Sequence, residues 1–184
     1  MRVIARKGIA AATMQDIAEE AGVAKGTIYL YFKDRDELVD TTFENSINQL
    51  HERIDSAMEP HATFEAKFRA ALKTLFEFFG ENREFFRLYT AQRFPEGTPH
   101  QQRHQQRHCD RYRDRRRKMA GLLSDAMDRG EIRRMDSDRL ALFLTEGTNA
   151  IVIERVMEEN LPSEEQDVDL IVDVILDGIR AARS

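Results

Sequence analysis

Tryptophan is absent and cysteine occurs once, at Cys109. One thiol cannot close an intrachain bridge, which excludes a disulfide-stapled secreted scaffold. Four prolines and nine glycines in 184 residues are too few for a sandwich of many tight turns, and suit long helices instead. No apolar run approaches the ~18 residues of a membrane span. No apolar segment precedes a small-residue cleavage site near Met1. The expectation is a soluble cytoplasmic chain without membrane attachment. Catalytic signatures are missing too. There is no phosphate-cradling glycine loop, no Gly-x-Ser-x-Gly elbow and no His-Glu-x-x-His pair. His51 and His61 stand alone, and the carboxylates are spread over helix faces. Neither an enzyme nor a bound cofactor is expected.

A hydrophobic content of 41% is ample for one core, or for two small ones. The net charge of −5 excludes a uniformly basic nucleic-acid binder, but its distribution is uneven. Residues 1–33 carry five Arg and Lys against three acids, and residues 100–118 carry eight against two. Residues 131–184 carry six Arg against thirteen acids. Binding nucleic acid needs a local basic face, which the two basic stretches offer.

Gly8, Gly22, Gly26, Pro60, Gly80, Pro95, Pro99, Gly130 and Pro162 divide the chain into segments with helical periodicity. Strand-like alternation is absent, so the fold class is all-α. A short helix is expected over 13–21, capped by Thr13, with a second over about 24–31. A long one starts near Asp34 and runs to Met58, with Leu38, Phe43, Ile47, Leu50 and Ile54 on its inner stripe. Phe64, Phe68, Leu72, Leu75, Phe76 and Phe79 define the next, followed by a short helix over 83–93. A basic helix from about Thr98 ends before Gly130. Helices over 137–159 and about 164–182 complete the set, with Ser137 and Ser163 as caps.

The last two helices are apolar on two faces, which implies a partner beyond the chain's own core. A dimer seam is expected there, through Leu144, Ile151, Arg155, Ile171, Val174 and Ile175. The competing reading is that both are central core helices.

Ala18, Gly22 and Ile28 fall at i, i+4 and i+10. That spacing suits a helix-turn-helix, with a small residue at the crossing, glycine in the turn, and an apolar side chain packed back. Ile17, Val23 and Tyr31 are expected to complete its interior. Lys25, Thr27, Tyr29 and Leu30 then face outward, placed to reach base edges in a major groove.

The run Thr13-Met-Gln-Asp-Ile-Ala18, with Ala21-Gly-Val-Ala-Lys-Gly-Thr-Ile-Tyr-Leu-Tyr-Phe-Lys-Asp-Arg-Asp-Glu-Leu38, resembles the DNA-binding signature of the TetR family of bacterial transcriptional regulators. The resemblance implies an N-terminal three-helix DNA-binding domain over residues 1–45. Over residues 46–184 it implies a helical bundle for ligand binding and dimerisation. It further implies a homodimer on a double-stranded DNA operator, most simply a repressor that a small hydrophobic or amphipathic effector releases. By motif position, Thr13 caps its helix and touches a phosphate, and Gln15 lies at the groove edge. Lys25, Thr27 and Tyr29 face DNA, and Gly26 admits the backbone. Leu30 meets a thymine methyl, and Lys33 holds a phosphate. Two positions depart from the family pattern. Ala24 replaces the usual Ser or Thr cap, a change worth about 1 kcal/mol. The segment Met1–Lys7 is shorter than the family's first helix, so either the natural chain begins upstream of Met1, which is the expectation, or the DNA-binding domain is clipped. The runner-up function is a helical small-molecule-binding or interaction protein that has lost DNA binding.

A ligand pocket is expected where Phe68, Phe76, Phe79, Phe86, Tyr89, Phe94, Tyr112, Met119 and Phe143 converge, with Arg116 as a polar anchor and Gly147 permitting close approach. Arg113 and Asn149 are further candidate anchors. For each of these the alternative is ordinary core packing. His100, His104 and His108 share one helical face beside Cys109, a spacing that suits a transition metal. Nearby arginines repel a cation and no carboxylate completes the set, so no metal is expected; a solvated basic segment or a second nucleic-acid surface are the other readings of this tract.

Overall fold

The computed structural model describes residues 2–8, 11–92, 99–158 and 161–179, and the elements there are all helices. They are α1 (Arg2–Lys7), α2 (Met14–Ala21), α3 (Lys25–Tyr29), α4 (Arg35–Met58), α5 (Phe64–Glu81), α6 (Arg83–Gln92), α7 (Pro99–Asp128), α8 (Ser137–Met157) and α9 (Glu164–Ile179). None is long and apolar enough to cross a membrane among the described residues.

Side-chain oxygens set the helix starts. The Thr13 hydroxyl accepts from the Asp16 N–H at 3.1 Å, and the Asp16 carboxylate accepts from the Thr13 N–H at 3.0 Å. These reciprocal bonds satisfy two donors that the first turn leaves open. The Asp34 carboxylate and the Thr63 hydroxyl cap α4 and α5 by accepting from the Glu37 and Ala66 N–H groups. Ser163 and Gln166 exchange reciprocal bonds at the start of α9. The cap of α8 is Asp136, which accepts from Arg139 N–H at 2.9 Å, and not Ser137 as expected. Ser137 is already the first helical residue, one position too late for its hydroxyl to reach back.

Two apolar clusters form. The smaller joins Met14 and Ala18 of α2, Ile28 of α3 and Leu38 of α4, with Ile17 and Phe32 packed against it. The larger runs from Val3 and Ile4 of α1 through α4–α9, and includes Val39, Phe43, Phe85 and Phe86. Helix α4 contributes to both clusters. Helix α1 packs on α2 and also on α6. The N-terminal helices are therefore braced against the body at two places, α4 and the α1–α6 contact.

Candidate nucleic-acid interface and ligand cavity

The α2–α3 unit is built on the crossing at Ala18, which is fully buried, and on Ile28 beneath it. Gly22 ends α2 at φ 67°, in the left-handed region where a Cβ is strained. Its N–H closes onto the carbonyls of Ala18 and Glu19. Ala24 at the start of α3 makes no side-chain cap bond. Phe32 supplies the apolar contact expected of Tyr31 and Val23. Those two are exposed, Tyr31 at 75%, because the chain turns after Tyr29 and carries the ring outward.

The outward face holds Lys25, Gly26, Thr27, Tyr29 and Leu30, with Thr13 and Gln15 exposed on α2. Leu30 is 82% exposed, an apolar group offered to solvent. The Lys25 ammonium lies 6.0 Å from the centroid of the Tyr29 ring. Gln15 reaches along its helix to Glu19 at 2.8 Å. The described cationic side chains of this unit fall into two groups. Lys7 binds Asp16 at 2.7 Å, Arg6 lies 3.6 Å from Glu20, and Arg35 lies 3.4 Å from Asp36. Lys25 and Lys33 have exposed side chains and no carboxylate partner among the described residues. Hydrogen bonds from Lys7 and from the Thr13 backbone and hydroxyl hold the Asp16 carboxyl down to about 2.

Behind this unit lie two adjoining cavities. The larger, of about 350 Å³, is lined by Phe43 and Ile47 of α4, Phe79 of α5, Phe86 of α6, Tyr112 of α7, and Val152, Ile153 and Val156 of α8. The smaller, of about 140 Å³, is lined by Ile54, Met58, Phe68, Leu72, Met119, Leu122 and Leu144. Leu50, His51, Leu75, Arg115, Thr145 and Asn149 line both. The polar groups thus gather at the junction of two apolar chambers. Phe86 organises the wall: its ring centroid lies 4.5 Å from that of Phe79 and 5.7 Å from that of Phe43. The Tyr112 hydroxyl donates to Glu146. Burial, and then the Glu146 carboxylate, push that phenol up to about 12.

Among the expected pocket residues, Phe68 and Met119 line the smaller cavity, and Phe79, Phe86 and Tyr112 the larger. Phe76 lines neither; it is buried beside a separate cleft, with the Arg155 guanidinium 5.6 Å from its ring centroid. Phe143 is 67% exposed and lines neither cavity, because its helical phase turns it about 100° away from Leu144 and out of the core. Gly147 is exposed, and a Cβ there would meet nothing within 4 Å, so it serves no close approach. The Arg116 Nε is buried without a partner, although Arg116 lines neither cavity. Arg113 pairs with Asp110 at 3.2 Å instead of anchoring a ligand. The side chain of Tyr89, residue Phe94, and the side chains of His100, His104, His108 and Cys109 lie outside the described residues. No cluster of metal-ligating side chains occurs among the described residues.

Sequence reasoning missed Arg115, Lys118, His51 and Thr145. Nothing in the run Arg113–Lys118 marks Arg115 from its neighbours; only the phase of α7 against α4 selects it.

The expected seam residues also divide. Leu144 and Ile171 are buried within the protomer. Arg155 is used within it too, bonding Asp167 and, at 3.0 Å, the Pro162 carbonyl. Ile151 and Ile175 are half-buried, while Val174 is 64% exposed. Leu170, at 57%, and Phe143 share that exposure. The chain's own core takes one apolar face of each helix and leaves another uncovered.

The structure is thus a helix-turn-helix set on an all-α body with internal cavities. Residues 1–42 match the family described as bacterial regulatory proteins, tetR family. The chain is similar to the uncharacterized HTH-type transcriptional regulator YhgD of Bacillus subtilis, 39% identical over 71 residues, covering 39% of this chain and 37% of that protein. It is similar also to the fatty acid metabolism regulator protein of the same organism, 34% identical over 76 residues, covering 41% and 39%. These matches span about two fifths of the curated relatives' length. Over nearly the whole chain, the fold matches that of the transcriptional regulator FadR from Bacillus subtilis, solved in complex with stearoyl-CoA. The TM-score is 0.76, at 22% identity over 97% of this chain and 95% of that one.

Proposed function

We propose that the chain is a ligand-responsive DNA-binding transcriptional regulator: a homodimer that represses by holding a near-palindromic operator and releases it when a hydrophobic or amphipathic molecule enters the cavity. Residues 1–45 form the DNA-binding part and residues 46–184 the ligand-binding and dimerising part. Lys25, Thr27, Tyr29 and Leu30 read bases, while Thr13 and Lys33 take phosphates, with Gln15 at the groove edge and Gly26 close to the backbone. Two such units one DNA turn apart, ~34 Å, engage successive major grooves. Phe143, Leu170 and Val174 supply the apolar face for the second copy.

The observation that carries this reading is the double use of Phe43 and Phe86. Both line the larger cavity, and both belong to the core cluster that includes Val3 and Ile4 of α1. A ligand pressing on the Phe86 ring acts on α6, against which α1 packs, and pressing on Phe43 acts on α4. Those are the two braces of the DNA-binding unit. Cores repack between discrete arrangements rather than yielding smoothly, so a filled cavity favours a different spacing of the two units. The likeness to a regulator solved with stearoyl-CoA supports an acyl-type effector.

The test is binding of the purified protein to labelled DNA from its own upstream region, with salt titration and nonspecific competitor. A competitor-resistant complex that Tyr29→Ala weakens far more than it weakens nonspecific binding supports the reading. Binding that competitor abolishes, or equal losses on both DNAs, overturns it.

A further inference from the structure

The cations of α7 do two different things. Arg113 and Arg117 pair one turn back along their own helix, with Asp110 and Asp114 at 3.2 and 3.0 Å. Arg115 and Lys118, one turn apart, instead cross to a single acid on α4. Asp55 accepts from Arg115 at 2.7 Å and from Lys118 at 2.5 Å. This bridge stands where the cavities meet solvent. Arg115 lines both cavities and is the most sheltered of the three, and Lys118 lines the smaller one and is exposed.

We infer that this bridge is a latch on the cavity, opened when the anionic head of a single-chain amphiphile replaces the Asp55 carboxylate on Arg115. The inference rests on the ligand cavity of the preceding reading and names the ligand's chemistry.

Three observations carry it. First, the charges at the smaller cavity do not balance. Arg115 and Lys118 both line it, and no carboxylate among the described residues does. An anion is the ligand charge that this excess accepts. Second, Arg115 keeps a charge-assisted partner throughout the exchange, and the freed Asp55 regains its hydration in water, so the anionic head adds to the drive from burying the chain in the apolar chambers. Third, Asp55 belongs to α4, whose other end caps at Asp34 and carries Leu38 into the helix-turn-helix core. Breaking its tether to α7 frees the helix that joins ligand to DNA. Opposing desolvation, the bonds from Lys118 and Arg115 hold the Asp55 carboxyl below its ordinary range, so the latch is charged and closed at neutral pH.

The test is calorimetric titration of the whole protein with laurate, dodecanol and dodecyltrimethylammonium, and separately with palmitate and palmitoyl-CoA. Laurate should bind at least tenfold tighter than dodecanol, and the cation least. Affinity should rise about fourfold per added methylene until the chambers are full. The last pair separates a carboxylate head from a phosphate-bearing one. Asp55→Asn should tighten laurate at least threefold and leave dodecanol unchanged, while Arg115→Gln should weaken laurate at least tenfold. Equal binding of laurate and dodecanol by the unaltered protein overturns the latch, as does an Asp55→Asn protein with unchanged laurate affinity. The first comparison needs no variant, so a misfolded mutant cannot rescue or sink it. DNA binding is scored separately. A protein that releases its operator for neutral amphiphiles but not for anionic ones refutes the latch alone. One that binds laurate through Arg115 yet ignores DNA supports the latch and refutes the regulator reading.

Discussion

The salt dependence of DNA binding follows from which cations are free. Among the described side chains of the N-terminal unit, Arg6, Lys7 and Arg35 already face carboxylates, which leaves Lys25 and Lys33 on each protomer of the proposed dimer. A dimer then neutralises about four phosphates, and the slope of log K against log salt is about −3.6. Raising salt from about 50 to about 200 mM should weaken the complex roughly 100-fold. Lys33→Ala removes about one phosphate contact per half-site, so the slope falls to about −1.8 and the same salt step costs only roughly tenfold. The loss should be equal on operator and random DNA, since a phosphate carries no sequence information. Fluorescence anisotropy over a salt series measures both slopes. A slope near −9 for the unaltered protein would mean that the paired cations leave their carboxylates for DNA. An unchanged slope for Lys33→Ala would refute the phosphate contact assigned to it.

Three further outcomes are expected. Phe86→Ala should cost about 3–5 kcal/mol in urea unfolding, because its ring packs against four other phenylalanines; a loss under about 1 kcal/mol would show that the cluster repacks freely. Asp16 has its pKa depressed from 3.8 to about 2, so its stabilisation is present above about pH 4 and is lost as the pH falls toward 2. Asp16→Asn should flatten that part of an acid-unfolding curve followed by circular dichroism, and an unaltered curve would assign the acid transition to other carboxylates. Val174→Asp puts a charge on the uncovered face of α9 and should yield a well-folded monomer by light scattering; a dimer that persists would place the interface elsewhere.

The helix-turn-helix was legible because its information is local. The Thr13 cap, the glycine in the left-handed turn at Gly22, and the small residue at Ala18 each act within about one helical turn of their partners. The apolar stripe of α4 was legible for the same reason, since Leu38, Phe43, Leu50 and Ile54 recur at helical spacing and are buried. The second apolar face of α8 and α9 could also be read as a fact. Which residues occupied it could not: Leu144 and Ile171 turn inward, and Phe143, Leu170 and Val174 turn out. Neighbouring residues on an apolar-rich helix differ by only about 100° of rotation, and the packing of α7 on α8 and α5 on α9 sets that phase.

The sequence by itself determined an all-helical chain, the position of the helix-turn-helix, and the existence of an aromatic-rich interior. Local hydrogen bonds and periodicity carry those features along the chain. Tertiary structure alone decided that Arg115 and Lys118 share Asp55, 60 and 63 residues away. It alone decided that Phe43 and Phe86 belong both to the cavity wall and to the core that holds α1. Such contacts depend on how helices distant in sequence rotate and dock, and residue spacing within one helix holds no record of that.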